Sequence, residues 1–253
     1  MKRALMAAYP VILLLVLWEG MVRTAGISPL ILPSATAVAR EATAQVIKLT
    51  VLAHAGTTLG RALTGFSLAI AVGTVAGFLM GRNRPVEAVL GPLFSVSYPV
   101  PKISLYPIFI FVFGLGNLSK VSLVFLECLY PIVMHTYYGT RGVDRLLLWS
   151  ARNMEATNAQ IFRKIVIPAA FPHIFSGIRI ALPVSLVLAV ITEMIGSNDG
   201  LGFFIVYSSA SFLTARVFVG IAMAGLLGFA LDATLQFLRA RLLPWERGIR
   251  LVA

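Results

Sequence analysis

The amino-acid sequence predicts an all-α, polytopic membrane protein with about six transmembrane helices. Of its 253 residues, 58% are hydrophobic and 12% are charged, and the mean hydropathy is +0.90. A soluble domain of this length does not need so much apolar surface for its core. Apolar stretches long enough to cross a hydrocarbon layer of about 30 Å recur along the chain. Lysines and arginines concentrate at the ends of these stretches, so membrane topology explains the net charge of +11 and no nucleic-acid partner is expected.

Six stretches have the length and apolar character of a transmembrane helix. They run from Leu5 to Val22, Thr57 to Met80, Val100 to Phe113, Ser122 to Tyr138, Ile174 to Ile195 and Val217 to Leu238. The third is short after Pro101. Its helix is therefore expected to begin near Val89 and to be broken by Pro99 and Pro101, whose nitrogens cannot donate backbone hydrogen bonds.

The first stretch also resembles a signal peptide, because Lys2 and Arg3 precede its apolar run. No small-residue cleavage site follows the run closely, which favours a retained helix. The next segment, Ser34 to Lys48, is weakly amphipathic and predicts a helix at the membrane surface. We expect residues 1–53 to form this N-terminal helix and external segment, 54–238 a transmembrane core, and 239–253 a basic cytoplasmic tail.

The distribution of positive charge predicts which side of the membrane each connection occupies, because the side richer in lysine and arginine stays cytoplasmic. With the N-terminus inside, the inner connections hold Lys2, Arg3, Arg82, Arg84, Arg141, Arg145, Arg152, Arg163, Lys164, Arg239, Arg241, Arg247 and Arg250. The outer connections hold only Arg23, Arg40, Lys48, Lys120 and Arg216. An even number of spans then places both termini in the cytoplasm.

A polar, basic interruption from Arg141 to Pro168 lies within the predicted cytoplasmic loop at about 139–173. It ends at Pro168, which is expected to stop a helix. Apolar residues at roughly helical spacing form a stripe along it, namely Leu148, Ala151, Met154, Ile161, Phe162 and Ile165. An amphipathic, positively charged element on this side predicts a docking surface for a cytoplasmic partner. A basic segment that only lies on the membrane is the alternative.

Glycines recur at four-residue spacing in the second stretch. They are Gly73, Gly77 and Gly81, and Gly65 extends the same helix face. Such a smooth face lets another helix approach closely. Packing within one subunit is favoured over a dimer contact.

Ionisable residues inside apolar stretches indicate a solute path, since each is costly there unless it faces water or a partner. Lys102 follows the break at Pro99 and Pro101, where irregular backbone is tolerated if it lines a cavity. Together with Glu193, these are the candidate path residues. Snorkelling of Lys102, or an ion pair with Glu193 or Glu127, is the competing interpretation.

The sequence contains no pattern typical of an enzyme or a metal site. Cys128 is the sole cysteine, and the three histidines are scattered. The run from Gly114 to Val121 has Ser119 where a P-loop needs its second glycine. Catalysis by this chain alone is therefore not expected.

Short motifs follow one another along nearly the whole chain in an order that resembles the permeases of sulfonate, taurine and nitrate ABC importers. They are Leu32-Pro33-Ser34, Thr57-Thr58-Leu59-Gly60-Arg61, Gly65-Phe66, Tyr98-Pro99-Val100-Pro101-Lys102-Ile103-Ser104-Leu105-Tyr106-Pro107, Phe113-Gly114-Leu115-Gly116, Tyr130-Pro131-Ile132, Ile167-Pro168-Ala169-Ala170-Phe171-Pro172, Gly177-Ile178-Arg179-Ile180-Ala181-Leu182, Glu193-Met194 and Asn198-Asp199-Gly200-Leu201-Gly202-Phe203. Single motifs are common, whereas this succession is specific. It implies the fold of a type I ABC importer permease.

The cytoplasmic loop of such permeases carries Glu-Ala-Ala, a glycine, and Ile-x-Leu-Pro. Aligned from Pro168, Glu155 takes the glycine position and Trp149-Ser150-Ala151 the Glu-Ala-Ala. The resemblance implies that this loop couples to an ATPase, with Phe162 as anchor. The implied coupling residues are Met154, Glu155, Ala156, Gln160, Ile161, Phe162, Arg163, Lys164 and Pro168. Glutamate rarely adopts a positive φ. The sequence therefore also leaves open that the loop forms one continuous helix in place of two.

The resemblance implies several partners. They are two ATPase subunits, a periplasmic or lipid-anchored solute-binding protein, and a second copy of this chain in a bacterial inner membrane. ATP and Mg would bind the ATPase, and no cofactor is expected in this chain. The implied solute is a small anion of the sulfonate, taurine or nitrate type. A pyrimidine precursor, a flavin-like or an aromatic compound is the alternative solute, and a secondary carrier without an ATPase is the alternative function.

Overall fold

The computed structural model describes residues 2–244, and this part of the chain contains helices and no β-strand. The α-helices are α1 (Lys2–Thr24), α2 (Ala35–Ile47), α3 (Thr50–Arg82), α4 (Arg84–Ser97), α5 (Tyr106–Phe113), α6 (Asn117–Arg141), α7 (Arg145–Asn153), α8 (Asn158–Ile161), α9 (Ile167–Gly196), α10 (Leu201–Ala210) and α11 (Thr214–Leu242). A 3₁₀ turn at Lys102–Leu105 precedes α5, and a π-helical turn at Phe162–Val166 joins α8 to α9. The predicted all-α class is confirmed. Arg247 and Arg250 of the predicted tail lie outside the described residues.

Four of the described helical segments are long and apolar enough to cross a membrane. They are Thr50–Arg82, Asn117–Arg141, Asn158–Gly196 and Thr214–Leu242. The pair Arg84–Ser97 and Lys102–Phe113 also passes this test when taken together, and it is bent by 91°. That bend lies at the two prolines, as predicted. The first predicted span falls on α1, whose large side chains from Val11 to Leu17 are 41–65% exposed, and its crossing of the membrane stays a prediction.

The start of α9 differs from the prediction. Pro168 is its second residue, so the expectation that this proline stops a helix is wrong. A proline inside a regular helix removes one hydrogen bond and presses its ring against the preceding turn. The wider π-helical turn at Phe162–Val166 lies immediately before the proline and relieves both effects. As a result, the helical path continues from Asn158 to Gly196.

The chain forms two compact units. The first contains residues 1–58 and 190–227, and the second contains residues 59–189 and those from 228 onward. The core of the first unit is built from Val51, Ala55, Leu201, Phe204 and Val219. The short helix α10, which the sequence did not predict, supplies two of these side chains.

Helix α2 begins where the predicted surface helix begins, because the Ser34 hydroxyl accepts a hydrogen bond from the Ala37 N–H at 3.2 Å. Glu41 on this helix accepts hydrogen bonds from Gln45 at 2.8 Å and from Arg216 at 2.7 Å. These two bonds hold the pKa of Glu41 below its usual range. An ion pair therefore ties α2 to the start of α11 within the first unit.

The glycine row of α3 packs against α6 in the second unit. A Cβ added to Gly77 would lie 2.5 Å from the Cβ of Thr136, and one added to Gly81 would lie 2.7 Å from the Cβ of Thr140. Gly65 and Gly73 meet Val124 and Ile132 of α6 in the same way; the predicted row is Gly65, Gly73, Gly77 and Gly81. The close contact made by these four glycines is thus within this chain.

Helix α6 is also held closely by α9. A Cβ on Gly139 of α6 would lie 2.7 Å from the Cβ of His173, and a Cβ on Gly177 of α9 would lie 2.8 Å from the Cβ of His135. Each helix therefore contributes one glycine to this contact. Helix α3 approaches α6 equally closely. The position of α6 in the second unit is therefore fixed by two close contacts, one with α3 and one with α9, at which the glycines present no side chain.

Replacing Gly77 with alanine should destabilise the folded protein by about 1–3 kcal/mol, because the new methyl group overlaps Thr136 at a seam that has no space. Gly60→Ala is the matched control, since Gly60 lies on the same helix with open space beside it in the described structure. Alanine there gains helix propensity of about 1 kcal/mol. Thermal unfolding of the purified protein in detergent, followed by circular dichroism, would compare the two. A Gly77→Ala protein as stable as Gly60→Ala would contradict the tight seam.

Candidate solute path and coupling segment

The prolines after α4 place Lys102 where a regular helix would not. Tyr98 caps the end of α4, and Pro99, Val100 and Pro101 lead into the 3₁₀ turn that begins with Lys102. Proline nitrogens carry no hydrogen, so the helical ladder cannot continue through this segment. The backbone turns by 91°, and Lys102 becomes a buried residue, 8% exposed.

The ammonium of Lys102 faces a carboxylate. Its Nζ lies 3.9 Å from Oε2 of Glu127 on α6 and 5.8 Å from the ring centre of Tyr130. An ion pair with Glu127 belongs to the competing interpretation of this lysine, and it offsets part of the cost of burying the charge. At 3.9 Å the two groups attract each other but do not form a hydrogen bond.

A cleft of about 420 Å³ opens beside this pair. Its polar lining comes from Lys102, Glu127 and His135, and the rest of its wall is aromatic or apolar. That part comprises Tyr98, Tyr130, Tyr138, Pro131, Met134, Ile180 and Val184. Of the residues proposed for a solute path, Lys102 reaches this cleft directly, whereas Pro99 and Pro101 act through the backbone bend.

Two further clefts adjoin this one along α6. A cleft of about 140 Å³ shares Lys102 and Tyr130 with it, and one of about 560 Å³ shares Met134 and Tyr138. The shared residues place the three clefts next to one another in a row that follows α6 from Leu126 to Arg141. At 1.5 Å per residue this row is roughly 22 Å long, most of the thickness of a hydrocarbon core.

A polar cluster lies at the Arg141 end of the row. The Tyr137 hydroxyl donates to Oε1 of Glu87 at 2.5 Å, and Nη1 of Arg141 donates to the Tyr137 oxygen at 2.6 Å. Arg141 also forms an ion pair with Glu87. Glu87 and Tyr137 were not among the residues predicted from the sequence. The available signal was a lone acidic residue in α4, fifty residues before the tyrosine it contacts.

Glu193 has a different environment from Lys102. It lies in the first unit, is 1% exposed, and accepts hydrogen bonds from the Thr58 hydroxyl at 2.8 Å and from the Gly202 N–H at 3.1 Å. The Thr58 oxygen in turn accepts the Leu201 N–H at 2.8 Å. Together they satisfy two N–H groups at the start of α10, which otherwise have no helical partner.

Gly200 lies directly against this carboxylate. Its φ is +93°, and a Cβ there would lie 2.2 Å from the Glu193 Cδ. Its N–H donates to Nδ1 of His54 at 3.0 Å. Both the backbone conformation and the space require glycine at this position. These contacts give Glu193 a structural role in the turn before α10, and its place on a solute path stays a prediction.

The predicted coupling segment consists of two short helices. Helix α7 ends with the N–H of Glu155 bonded to Arg152 O and that of Ala156 bonded to Ala151 O, each at 3.0 Å. Glu155 has φ +59° between them. This is a Schellman termination with glutamate at the position that usually holds glycine. The sequence left open whether this segment is one helix or two, and the structure has two, because these closing backbone bonds hold Glu155 in the left-handed conformation.

Helix α8 begins at a capping box. The Gln160 N–H donates to the Thr157 hydroxyl at 3.3 Å, and the Thr157 N–H donates to Oε1 of Gln160 at 2.8 Å. The side chain of Gln160, a proposed coupling residue, is therefore engaged at its own helix start. This capping box was not predicted from the sequence.

Most of the predicted apolar stripe packs inside the second unit. Leu148, Ala151, Ile161, Phe162 and Ile165 surround Val143 and Val166 in one cluster. Phe162 is half-buried, with its ring centre 5.3 Å from that of Phe78 and the Arg82 guanidinium 5.9 Å above it. The expectation that the whole stripe faces a partner is wrong, since five of its six residues belong to this cluster.

The outer surface of the segment carries other apolar side chains. Trp149 is 56% exposed and Met154 82% exposed, beside Leu146 and Leu147. Of the proposed coupling residues, Met154, Glu155, Gln160, Arg163, Lys164 and Pro168 are exposed, Ala156 and Phe162 are half-buried, and Ile161 is buried. A partner would therefore meet Trp149 and Met154 with a basic margin around them.

Comparison with known proteins now bears on this arrangement. Residues 69–244 match the family model described as "Binding-protein-dependent transport system inner membrane component". This match covers α4 to α11, including the clefts and the coupling segment. The chain belongs to this family.

Several transport permeases match this chain over most of their own length. The formylaminopyrimidine transport permease protein ThiX of Halalkalibacterium halodurans is 33% identical over 98% of this chain and 99% of its own. The taurine transport system permease protein TauC of Escherichia coli is 31% identical over 92% of this chain and 86% of its own. Permeases named for aliphatic sulfonates and for nitrate also match. The resemblance to sulfonate, taurine and nitrate ABC permeases is confirmed.

A solved structure confirms the fold. The crystal structure of an amino acid ABC transporter superposes with a TM-score of 0.62 at 18% identity, covering 79% of this chain and 95% of that one. The chain is thus an ABC importer permease by fold and by family, an inner membrane component with several apolar helices.

Replacing Glu155 with glycine should raise the free energy of unfolding by up to about 1 kcal/mol, because glycine occupies the left-handed region without the strain that an L-residue has there. Thermal unfolding of the purified permease would measure the change. Glu155→Ala is the control, since it removes the carboxylate and keeps the strain. Equal stability of the two variants would show that φ at this turn carries no cost.

Proposed function

We propose that this chain is the path-forming subunit of an ATP-driven importer, which receives a small organic solute from a binding protein and passes it along α6 to the cytoplasm. The row of clefts from Leu126 to Arg141 carries this proposal. Such a row offers successive apolar and polar surfaces across most of a membrane. Membership in a binding-protein-dependent transport family supports the same function.

In this proposal two ATPase subunits bind ATP and Mg and do the hydrolysis, and the permease itself holds no cofactor and catalyses no reaction. A second copy of the chain completes the pore, because six helices are few to enclose one. The exposed surface around Trp149 and Met154 receives the ATPase, and Arg163 and Lys164 set its register. Phe162 lies on the inner side of this surface and holds the end of α8 against α3 through its contact with Phe78.

The names of the relatives indicate more than one class of solute. The resemblance favours a small anion, as the names of the aliphatic sulfonate and nitrate permeases suggest, whereas the formylaminopyrimidine permease matches over a larger share of the chain. Sequence similarity alone therefore leaves a small anion and a nitrogen heterocycle as candidates. Both would follow the same route along α6.

Both termini are proposed to lie in the cytoplasm, together with Met154. The test uses a Cys128→Ala background with a cysteine placed at exposed Met154. This cysteine should react with a membrane-impermeant maleimide only in inverted vesicles, because the distribution of positive charge predicts that the loop lies on the cytoplasmic side. Cysteine at exposed Ala39 should react only in intact spheroplasts. Labelling of the Met154 site from outside would overturn the orientation.

Replacing Trp149 with alanine should weaken ATPase binding by about 2 kcal/mol, roughly 30-fold in Kd, if this aromatic side chain is a central contact. The readouts are co-purification of the ATPase and solute-stimulated ATP hydrolysis in the reconstituted complex. Phe229→Ala is the control, since Phe229 is a comparably exposed aromatic on α11. Full uptake of solute without any bound ATPase would contradict the proposed function and favour a secondary carrier.

A further inference from the structure

The cleft beside Lys102 has properties that select a class of solute, on the condition that the proposed function holds. Its wall is dominated by tyrosine rings and apolar side chains, and its charged groups are one lysine and one glutamate. At about 420 Å³ it has room for a ring system. A nitrate or a taurine presents little apolar surface to such a wall.

The two charges cancel each other near the cleft. The Lys102 ammonium lies 3.9 Å from the Glu127 carboxylate, so an anion that approached Nζ would also lie close to a negative charge. The pair is inside an apolar segment, where an uncompensated third charge is costly. A solute without net charge avoids this cost.

The same pair retains hydrogen-bonding capacity. Lys102 is 8% exposed, and its ammonium has three N–H donors but no hydrogen-bond acceptor among the described residues. Nδ1 of His135 lies 2.8 Å from the Pro131 carbonyl oxygen. A carbonyl can only accept, so Nδ1 carries the proton, and the neutral ring then has an acceptor at Nε2. The cleft thus provides a donor on one side and acceptors at Glu127 and His135.

Aromatic surfaces complete the site. The rings of Tyr98 and Tyr130 stack with centres 4.7 Å apart and planes at 28°. Tyr98 remains 62% exposed, so one face of this stack is available to another planar group. Tyr98 and Tyr130 line the same cleft as Lys102 and Glu127, so a flat ring stacked on the tyrosines would lie in the cleft that these two charged side chains also line.

We propose that this cleft binds a planar nitrogen heterocycle of no net charge, stacked on the tyrosines, which accepts a hydrogen bond from Lys102 and donates to Glu127 or His135. This solute class replaces the small anion that sequence resemblance favoured. The binding is weak and transient, as passage through a permease requires.

The test uses the detergent-purified complex of this chain with its ATPase, free of nucleotide. Cytosine and adenine serve as neutral heterocycles, benzenesulfonate as an aromatic anion, and nitrate and taurine as small polar solutes. Saturation-transfer difference NMR titrations give a Kd for each probe. The expected result is binding of cytosine or adenine in preference to the other three.

Variants locate the binding. Tyr130→Leu should weaken heterocycle binding about tenfold, as loss of one stacked aromatic does, whereas Tyr130→Phe keeps the ring and should change the Kd by less than about twofold. Lys102→Met should also weaken it. Preference for nitrate, taurine or benzenesulfonate, binding of none of the probes, or equal Kd values for Tyr130→Leu and Tyr130→Phe would overturn the inference.

The same preparation separates this inference from the proposed function. A complex that purifies with its ATPase and hydrolyses ATP, yet does not prefer the heterocycles, contradicts only the solute class. A chain that never associates with an ATPase contradicts the proposed function itself.

Discussion

The close packing of α6 is the constraint on which the candidate path depends. Gly77 and Gly81 of α3 admit Thr136 and Thr140 at distances that leave no room for a methyl group, and Gly177 of α9 does the same for His135. Because protein interiors deform little, these seams fix both the rotation and the height of α6. Glu127, Tyr130 and Tyr138 lie on that helix, so the seams determine which side chains line the clefts.

A broken helix supplies the opposite side of the same clefts. Unpaired backbone groups are costly in a membrane and are tolerated where they line a cavity. The segment from Tyr98 to Pro101 follows this rule, since Tyr98, Val100 and Lys102 all contribute to cleft walls. The proline break and the buried ion pair are therefore linked, because the bend brings Lys102 to the carboxylate of Glu127.

Much of the fold could be predicted from the sequence, and the reasons for the failures are physical. Long apolar runs and the prolines at 99 and 101 carry enough local signal to place five spans and one break. The short helix α10 depends on the distant Thr58 and Glu193 to satisfy its first N–H groups, and no local pattern reports that. Glu155 was expected to avoid a left-handed turn on propensity alone, but the closing backbone bonds outweigh a strain of about 1–2 kcal/mol. The ion pair between Lys102 and Glu127 likewise depends on tertiary packing, which no local sequence pattern reports.

Charged side chains in the described apolar helices are held by ion pairs or by hydrogen bonds to neutral side chains. Arg179 lies 3.4 Å from Asp232, Arg61 donates to Asn117 at 2.8 Å, and Glu193 accepts from Thr58. Each group is satisfied locally, as a low-dielectric environment demands. The surplus of positive charge in this chain then belongs to its connections and helix ends, where it directs topology. Because Lys102 is paired as well, its contribution to a solute path is a hydrogen-bond donor within a neutral site, and stacking on the tyrosines becomes the main source of affinity there.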